Sequence, residues 1–232
     1  MDNRRKKPKT IGVLGGVGPS ATADFYMELI KEAQTKYNAK LNEDFPAIYI
    51  YNLPLPYVVG GGTNRRVLSF LLAGIKKLDS WKPDLIAIPC NTANIFFREM
   101  KKSVKAQLLN IVEETLKDVN RSAFKKVGLL ATSETIKDKL YASKKVKIIA
   151  PSKEDQQIID KIVLRINAGN QTKKDKEKIL KIIAKFEKNG INAIICGCTE
   201  IPLILKQEDT KCTLFNSTTI LARAAIKMAY RK

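Results

Sequence analysis

The chain has no histidine among its 232 residues. That absence excludes histidine general bases, serine–histidine triads and histidine-ligated zinc. Catalysis, if any, falls to Cys, Asp, Glu, Lys, Tyr or backbone groups. Aromatic residues are sparse at 7%, and no basic stripe is interleaved with them, so a nucleic-acid partner is not expected. No apolar run approaches the roughly 20 residues of a membrane helix. No long segment combines high charge with a lack of apolar residues, which excludes a large disordered region. The basic N-terminus, Met1 to Lys9, is followed by no signal-type apolar stretch, so the chain reads as soluble and cytoplasmic.

What the sequence does have is cationic charge, an apolar core and four cysteines. The net charge is +19, with lysines spread along helical faces such as Lys173, Lys174, Lys178 and Lys181. This pattern reads as a solvated surface whose field can also raise the local concentration of an anionic substrate. Hydrophobic residues make up 44% of the chain, enough for one large domain or two small ones. The cysteines are Cys90, Cys196, Cys198 and Cys212. Their spacing in a cytosolic chain suggests free thiols more than a disulfide framework.

Short β-branched runs alternate with longer amphipathic stretches. Strands are expected near Thr10–Leu14, Ala47–Leu53, Asp84–Pro89, Lys126–Ala131, Val146–Ile149, Asn192–Cys196 and Cys212–Phe215. Helices are expected over Ala21–Tyr37, after Thr63 or Asn64, after Cys90, and over Thr135–Tyr141, Asp155–Asn167 and Lys173–Lys188. A last one is capped by Asn216 or Ser217. Gly60, Gly61 and Gly62 read as a flexible break. Strands alternating with helices predict an α/β fold of mostly parallel sheets with helices on both faces.

The pattern also repeats. Thr10-Ile11-Gly12-Val13-Leu14-Gly15 is similar to Lys126-Val127-Gly128-Leu129-Leu130-Ala131, and Ile86-Ala87-Ile88-Pro89-Cys90-Asn91-Thr92 to Ala193-Ile194-Ile195-Cys196-Gly197-Cys198-Thr199. Any two α/β halves share strand patterns, but that does not explain a cysteine at the same strand end in both. Ligands of open α/β sheets bind at the carboxyl ends of strands, where Cys90 and Cys198 are expected. A following helix N-terminus would lower each thiol's pKa and favour the thiolate. Asn91, Thr92 and Thr199 add hydrogen-bond donors beside the sulfurs. Two thiols flanking one substrate suit a reaction that needs a base on one face of a carbon and an acid on the other. Cys196 and Cys212 read as structural.

Gly15-Gly16-Val17-Gly18-Pro19-Ser20-Ala21-Thr22, Pro89-Cys90-Asn91-Thr92-Ala93 and Gly197-Cys198-Thr199-Glu200-Ile201-Pro202-Leu203 together resemble the aspartate/glutamate racemase family, in order and spacing, over nearly the whole chain. The resemblance implies two pseudo-symmetric Rossmann-like domains with an active-site cleft between them. The first would be residues 1–110 plus 213–232, carrying Cys90, and the second residues 111–212, carrying Cys198. It implies racemisation of a small acidic amino acid without cofactor or metal, interconverting L- and D-aspartate, or else glutamate or another small amino acid, by Cys90 and Cys198 as paired acid and base. It assigns Asn91, Thr92, Thr132, Thr135 and Thr199 to the substrate's carboxylate and amino groups. Glu200 orients a thiol or binds the ammonium group; it is equally well an ordinary first-turn acid. A homodimer is common in the family.

Three positions depart from that family. Asn94 stands where a histidine often follows the first cysteine. Asn52-Leu53-Pro54-Leu55-Pro56 runs on to Tyr57 and Val58 without the usual Asp-Arg pair, and Arg65 and Arg66 lie further along. Near Gly169 a lysine is usual; here Asn167 stands there, with Arg165 as the candidate substitute. The reaction type therefore rests on more residues than the substrate, and a distal amide or apolar side chain stays open. Competing readings are a dinucleotide site at Gly16-x-Gly18-x-x-Ala21, which lacks the acid expected after the second strand, a non-catalytic amino-acid-binding module, and a cysteine-dependent decarboxylase or isomerase of small diacids.

Overall fold

The computed structural model describes residues 7–55 and 65–231. The expected glycine break and the cap at Thr63 or Asn64 lie outside them, as do Pro56, Tyr57 and Val58. The chain builds two four-stranded, wholly parallel sheets. The first half contributes β1 (Ile11–Gly15), α1 (Pro19–Tyr37), β2 (Ile48–Asn52), α2 (Arg65–Asp79), β3 (Leu85–Ala87), α3 (Phe97–Lys102) and β4 (Gln107–Leu108). After α4 (Ile111–Arg121) come β5 (Lys126–Leu130), α5 (Ser133–Lys137), β6 (Lys147–Ile149), α6 (Lys153–Asn167) and α7 (Lys173–Lys188). The chain ends with β7 (Ala193–Cys196), α8 (Ile201–Ile204), β8 (Thr213–Asn216) and α9 (Ser217–Ala229).

The strand orders are β2-β1-β3-β4 and β6-β5-β7-β8, the same permutation twice. The repeat seen in the sequence is thus a repeat of topology. The two inner strands of each sheet are the most apolar, because helices cover both of their faces: β1, β3 and β7 are buried along their whole length. One apolar cluster spans both sheets, joining Ile11, Val13 and Leu85 to Val127, Leu129 and Ile195. Separate clusters fill the outer faces under α2 and under α6 and α7.

β8 pairs in register with β7 and so extends the second sheet. Only the helix that follows returns to the first half, where α9 packs on α1 and α4. Its start is fixed by Asn216, whose side chain accepts from the N–H groups of Thr218 and Thr219. The expected helix at Thr135–Tyr141 begins earlier and is shorter. Thr132 caps it by accepting from Thr135 N, and Lys139 at φ 50° ends it. The sequence expectations omit β4 and α4. A two-residue strand carries almost no pattern, but α4 has a clear cap, Asn110, accepting from the N–H groups of Val112 and Glu113.

Candidate active site

A cavity of about 410 Å³ opens at the carboxyl ends of the inner strands and is lined by both halves. The turn after β1 contributes Gly16 to Pro19, the segment after β2 contributes Asn52 to Leu55, and the loop after β3 contributes Cys90, Asn91 and Thr92. The second half adds Thr132 after β5, Val163 and Asn167 of α6, and Cys198, Thr199 and Glu200 after β7. β3 and β7 hold equivalent places in their sheets, and Cys90 and Cys198, each shortly after one of them, both line the cavity. Cys90 is half-buried and Cys198 is 5% exposed.

Neither thiol follows the expected acidification. Burial pushes Cys90 up from 9.0 to about 12, and the nearby Glu200 charge adds to the shift. The N–H groups of Ala93 and Thr92 pull the other way but are outweighed. Burial and Glu200 likewise hold Cys198 well above its ordinary value. Local structure offsets little of this burial: a 3-10 turn, Thr92–Phe96, follows Cys90, and the helix after Cys198 has four residues. Neither offers the aligned dipole of a long α-helix.

Glu200 lies at the centre of the cleft's charge. It is 6% exposed, and burial lifts its carboxyl above the ordinary value. Its Oε2 accepts from the Cys198 thiol at 3.0 Å and from the Thr199 hydroxyl at 3.2 Å. Its Oε1 lies against Gly18 of the opposite half, where a Cβ would stand 2.3 Å away. Gly18 adopts φ 93°, so the glycine turn both tolerates the strained backbone and leaves room for the carboxylate.

Three threonines form a hydroxyl cluster across the halves. Thr92 Oγ1 lies 3.0 Å from Thr132 Oγ1 and 3.1 Å from Thr135 Oγ1. Thr135 does not line the cavity itself; it backs the two that do. Asn91 lines the cavity, but its side chain is engaged elsewhere. It accepts from the Tyr141 hydroxyl and donates to Ser217 Oγ at 3.1 Å. Asn94 is buried and donates to the Cys90 carbonyl at 2.8 Å, while its Oδ1 has no partner among the described residues. It braces the Cys90 loop and does not face the cavity. Arg165 is not at the cavity. It lies between α6 and α7 in an ion pair with buried Asp175, because two residues along a helix turn a side chain about 200° from Asn167. Gly18 and Asn167 were not assigned a role from sequence. The positive φ needed at Gly18 is hidden among neighbouring glycines, and the facing of Asn167 follows from its spacing of four from Val163.

Among the described residues no helix is long and apolar enough to cross a membrane. Residues 14–225 match the model of the Asp/Glu/hydantoin racemase family. The broad specificity amino-acid racemase RacX of Bacillus subtilis is 26% identical over 231 residues, 95% of this chain and 99% of RacX. The aspartate racemase of Picrophilus torridus is 30% identical and superposes with a TM-score of 0.83, over 97% of this chain and 95% of that one. An aspartate racemase homologue from Pyrococcus horikoshii is 26% identical with a TM-score of 0.77, over 96% and 100%. The two solved structures share the two-sheet α/β architecture, and the racemases among these relatives are isomerases. A match of this extent, together with the paired sheets, shows that the chain belongs to the Asp/Glu/hydantoin racemase family.

Proposed function

We propose that the protein interconverts the L and D forms of a small amino acid by proton transfer between its α-carbon and two thiols, Cys90 and Cys198. The observation that supports this is the opening of both cysteines, from equivalent strand ends, into one cavity. A thiolate on one face takes the α-proton, and the thiol on the other face returns a proton to the resulting carbanion. One proton leaves the substrate and one arrives, so charge balances over the turnover and the thiols exchange roles in reverse. Both acid and base come from the chain, so the scheme calls for no cofactor.

The raised thiols set the first requirement, because one must lose its proton before turnover. Glu200 Oε2, accepting from Cys198, is the base within reach. Taking that proton leaves Glu200 neutral and so also removes the charge that raises Cys90. The α-carboxylate has the hydroxyls of Thr92 and Thr132 and the loop N–H groups around it as donors, while Thr199 holds Glu200 in place. Charge developing next to it in the transition state is stabilised by the same groups. Aspartate enters as a substrate through the relatives named aspartate racemase, while a broad-specificity relative widens the range. The same reading carries a homodimer, a cytoplasmic location and two domains, residues 1–110 plus 213–232 and residues 111–212.

The test is exchange of the α-hydrogen in D2O under reducing conditions, followed by NMR with optical purity, on L-aspartate, L-glutamate and a panel of neutral amino acids. Deuterium entry with loss of optical purity is expected. Cys90→Ala and Cys198→Ala are each expected to abolish racemisation; most turnover surviving in either variant would overturn the two-thiol scheme.

A further inference from the structure

Beyond the reacting centre the cavity is walled by Val17, Leu53, Leu55 and Val163, with Asn52 and Asn167 as polar groups. Among the described residues no lysine or arginine lines it. Arg165 is turned away onto Asp175, and Arg65 and Arg66 begin α2 on its exposed side. Asn167 is the last residue of α6, so that helix brings the negative end of its dipole to this wall. The Oδ1 of Asn167 is buried without a hydrogen-bond partner among the described residues. An unpartnered acceptor beside a helix C-terminus favours a donor such as a carboxamide N–H and offers no positive charge to a carboxylate. Glu200 is the acid at the cavity and adds repulsion when ionised.

From this wall we infer that the substrate's side chain carries no negative charge and is apolar or ends in a carboxamide. The inference rests on the racemase reading and narrows its substrate. A second carboxylate would enter an apolar pocket with two neutral amides and, among the described residues, no cation, losing hydration that no positive charge offsets. An aliphatic or thioether chain packs on Val17, Leu53, Leu55 and Val163. A carboxamide offers its N–H to Asn167 Oδ1. Val163 and Asn167, four apart on α6, present one face to the cavity, so this helix sets the preference.

Two measurements test it. In the D2O exchange assay, kcat/KM for L-leucine, L-methionine or L-glutamine is expected to exceed that for L-aspartate and L-glutamate by at least about tenfold. Asn167→Lys, which adds a cation to the wall, is expected to shift that ratio back toward the acidic amino acids. The second measurement needs no turnover: the same amino acids are scored for protecting half-buried Cys90 from alkylation by iodoacetamide. Protection by the neutral amino acids above that by aspartate supports the inference, even if exchange is absent and the racemase reading fails. Preference for aspartate or glutamate in either assay overturns it, and where that preference is seen in exchange the racemase reading stands. Protection by none of them together with no exchange overturns both.

Discussion

The carboxylate of Glu200, in the second half of the chain, is seated against the backbone of Gly18 in the first, where a Cβ would come within 2.3 Å of Oε1. Glu200 is held by Cys198 and Thr199, so it cannot yield to a methyl group without leaving the sulfur. Gly18→Ala is therefore expected to fold, with about 1 kcal/mol lost to the positive φ, and to lose at least about tenfold in kcat. Gly16→Ala should behave differently. Its Cβ would meet the Leu53 carbonyl oxygen at 2.2 Å, a backbone atom with nowhere to go, and should destabilise the protein more. Urea unfolding beside kinetics separates the two; equal stability losses with unchanged kcat would refute the Glu200–Gly18 relationship as functional.

Asn91 joins the halves through Tyr141 and Ser217. Asn91→Ala leaves the buried Tyr141 hydroxyl without that acceptor and should cost about 2 kcal/mol of stability. Tyr141→Phe removes the other partner. A double-mutant cycle of these two by urea denaturation should show a coupling of about 1 kcal/mol. No coupling would mean that Asn91 holds its position through Ser217 alone.

Arg165 offers a clean separation of structure from function. Its guanidinium holds the Asp175 carboxyl below its ordinary value, aided by the N–H and hydroxyl of Thr172. An acid with a lowered folded-state pKa stabilises the fold above its unfolded value of 3.8, and that stability is lost as pH falls through the folded value. Arg165→Ala should cost about 1 kcal/mol near neutral pH, since Arg165 is partly exposed, and should flatten the stability profile on the acid side. The kcat/KM ratio between any two amino acids should not change. A changed ratio would return Arg165 to the substrate site.

Cys196 is buried away from the cavity, and burial alone pushes its thiol from 9.0 to about 12. Between these values the folded protein keeps a proton that the unfolded chain has lost. Its contribution is therefore full below about pH 9 and lost as pH rises toward about 12. Stability by urea should fall between about pH 8 and pH 10.5, and Cys196→Ala should remove about 2 kcal/mol of that fall, at about 1.4 kcal/mol per pH unit. An undiminished fall in the variant would place the alkaline titration elsewhere.

Much of the fold was legible in the sequence. β1, β3 and β7 are short apolar runs closed by Gly, Pro or Cys, and burial between two helical layers requires that apolar composition. α6 and α7 announce themselves by isoleucines at helical spacing and by Gly169 after the first. The two-residue β4 did not, since pairing alone defines it. The side of α4 and the partner of β8 were not readable either, because a strand's neighbour is chosen by the sheet as a whole.

The sequence by itself determined the repeated α/β pattern, the family, the absence of histidine chemistry and the positions of Cys90 and Cys198. These are properties of residue type and spacing, which local physics converts directly into elements and strand ends. Only the tertiary structure decided that Glu200 sits between Cys198 and Gly18, that burial raises both thiols, that Asn91 spends its side chain on Tyr141, and that Arg165 leaves the cavity to Asn167. Each depends on which surfaces meet when two half-molecules close on one another, and on the desolvation that closure imposes. A chain read one residue at a time does not contain that information in any local pattern.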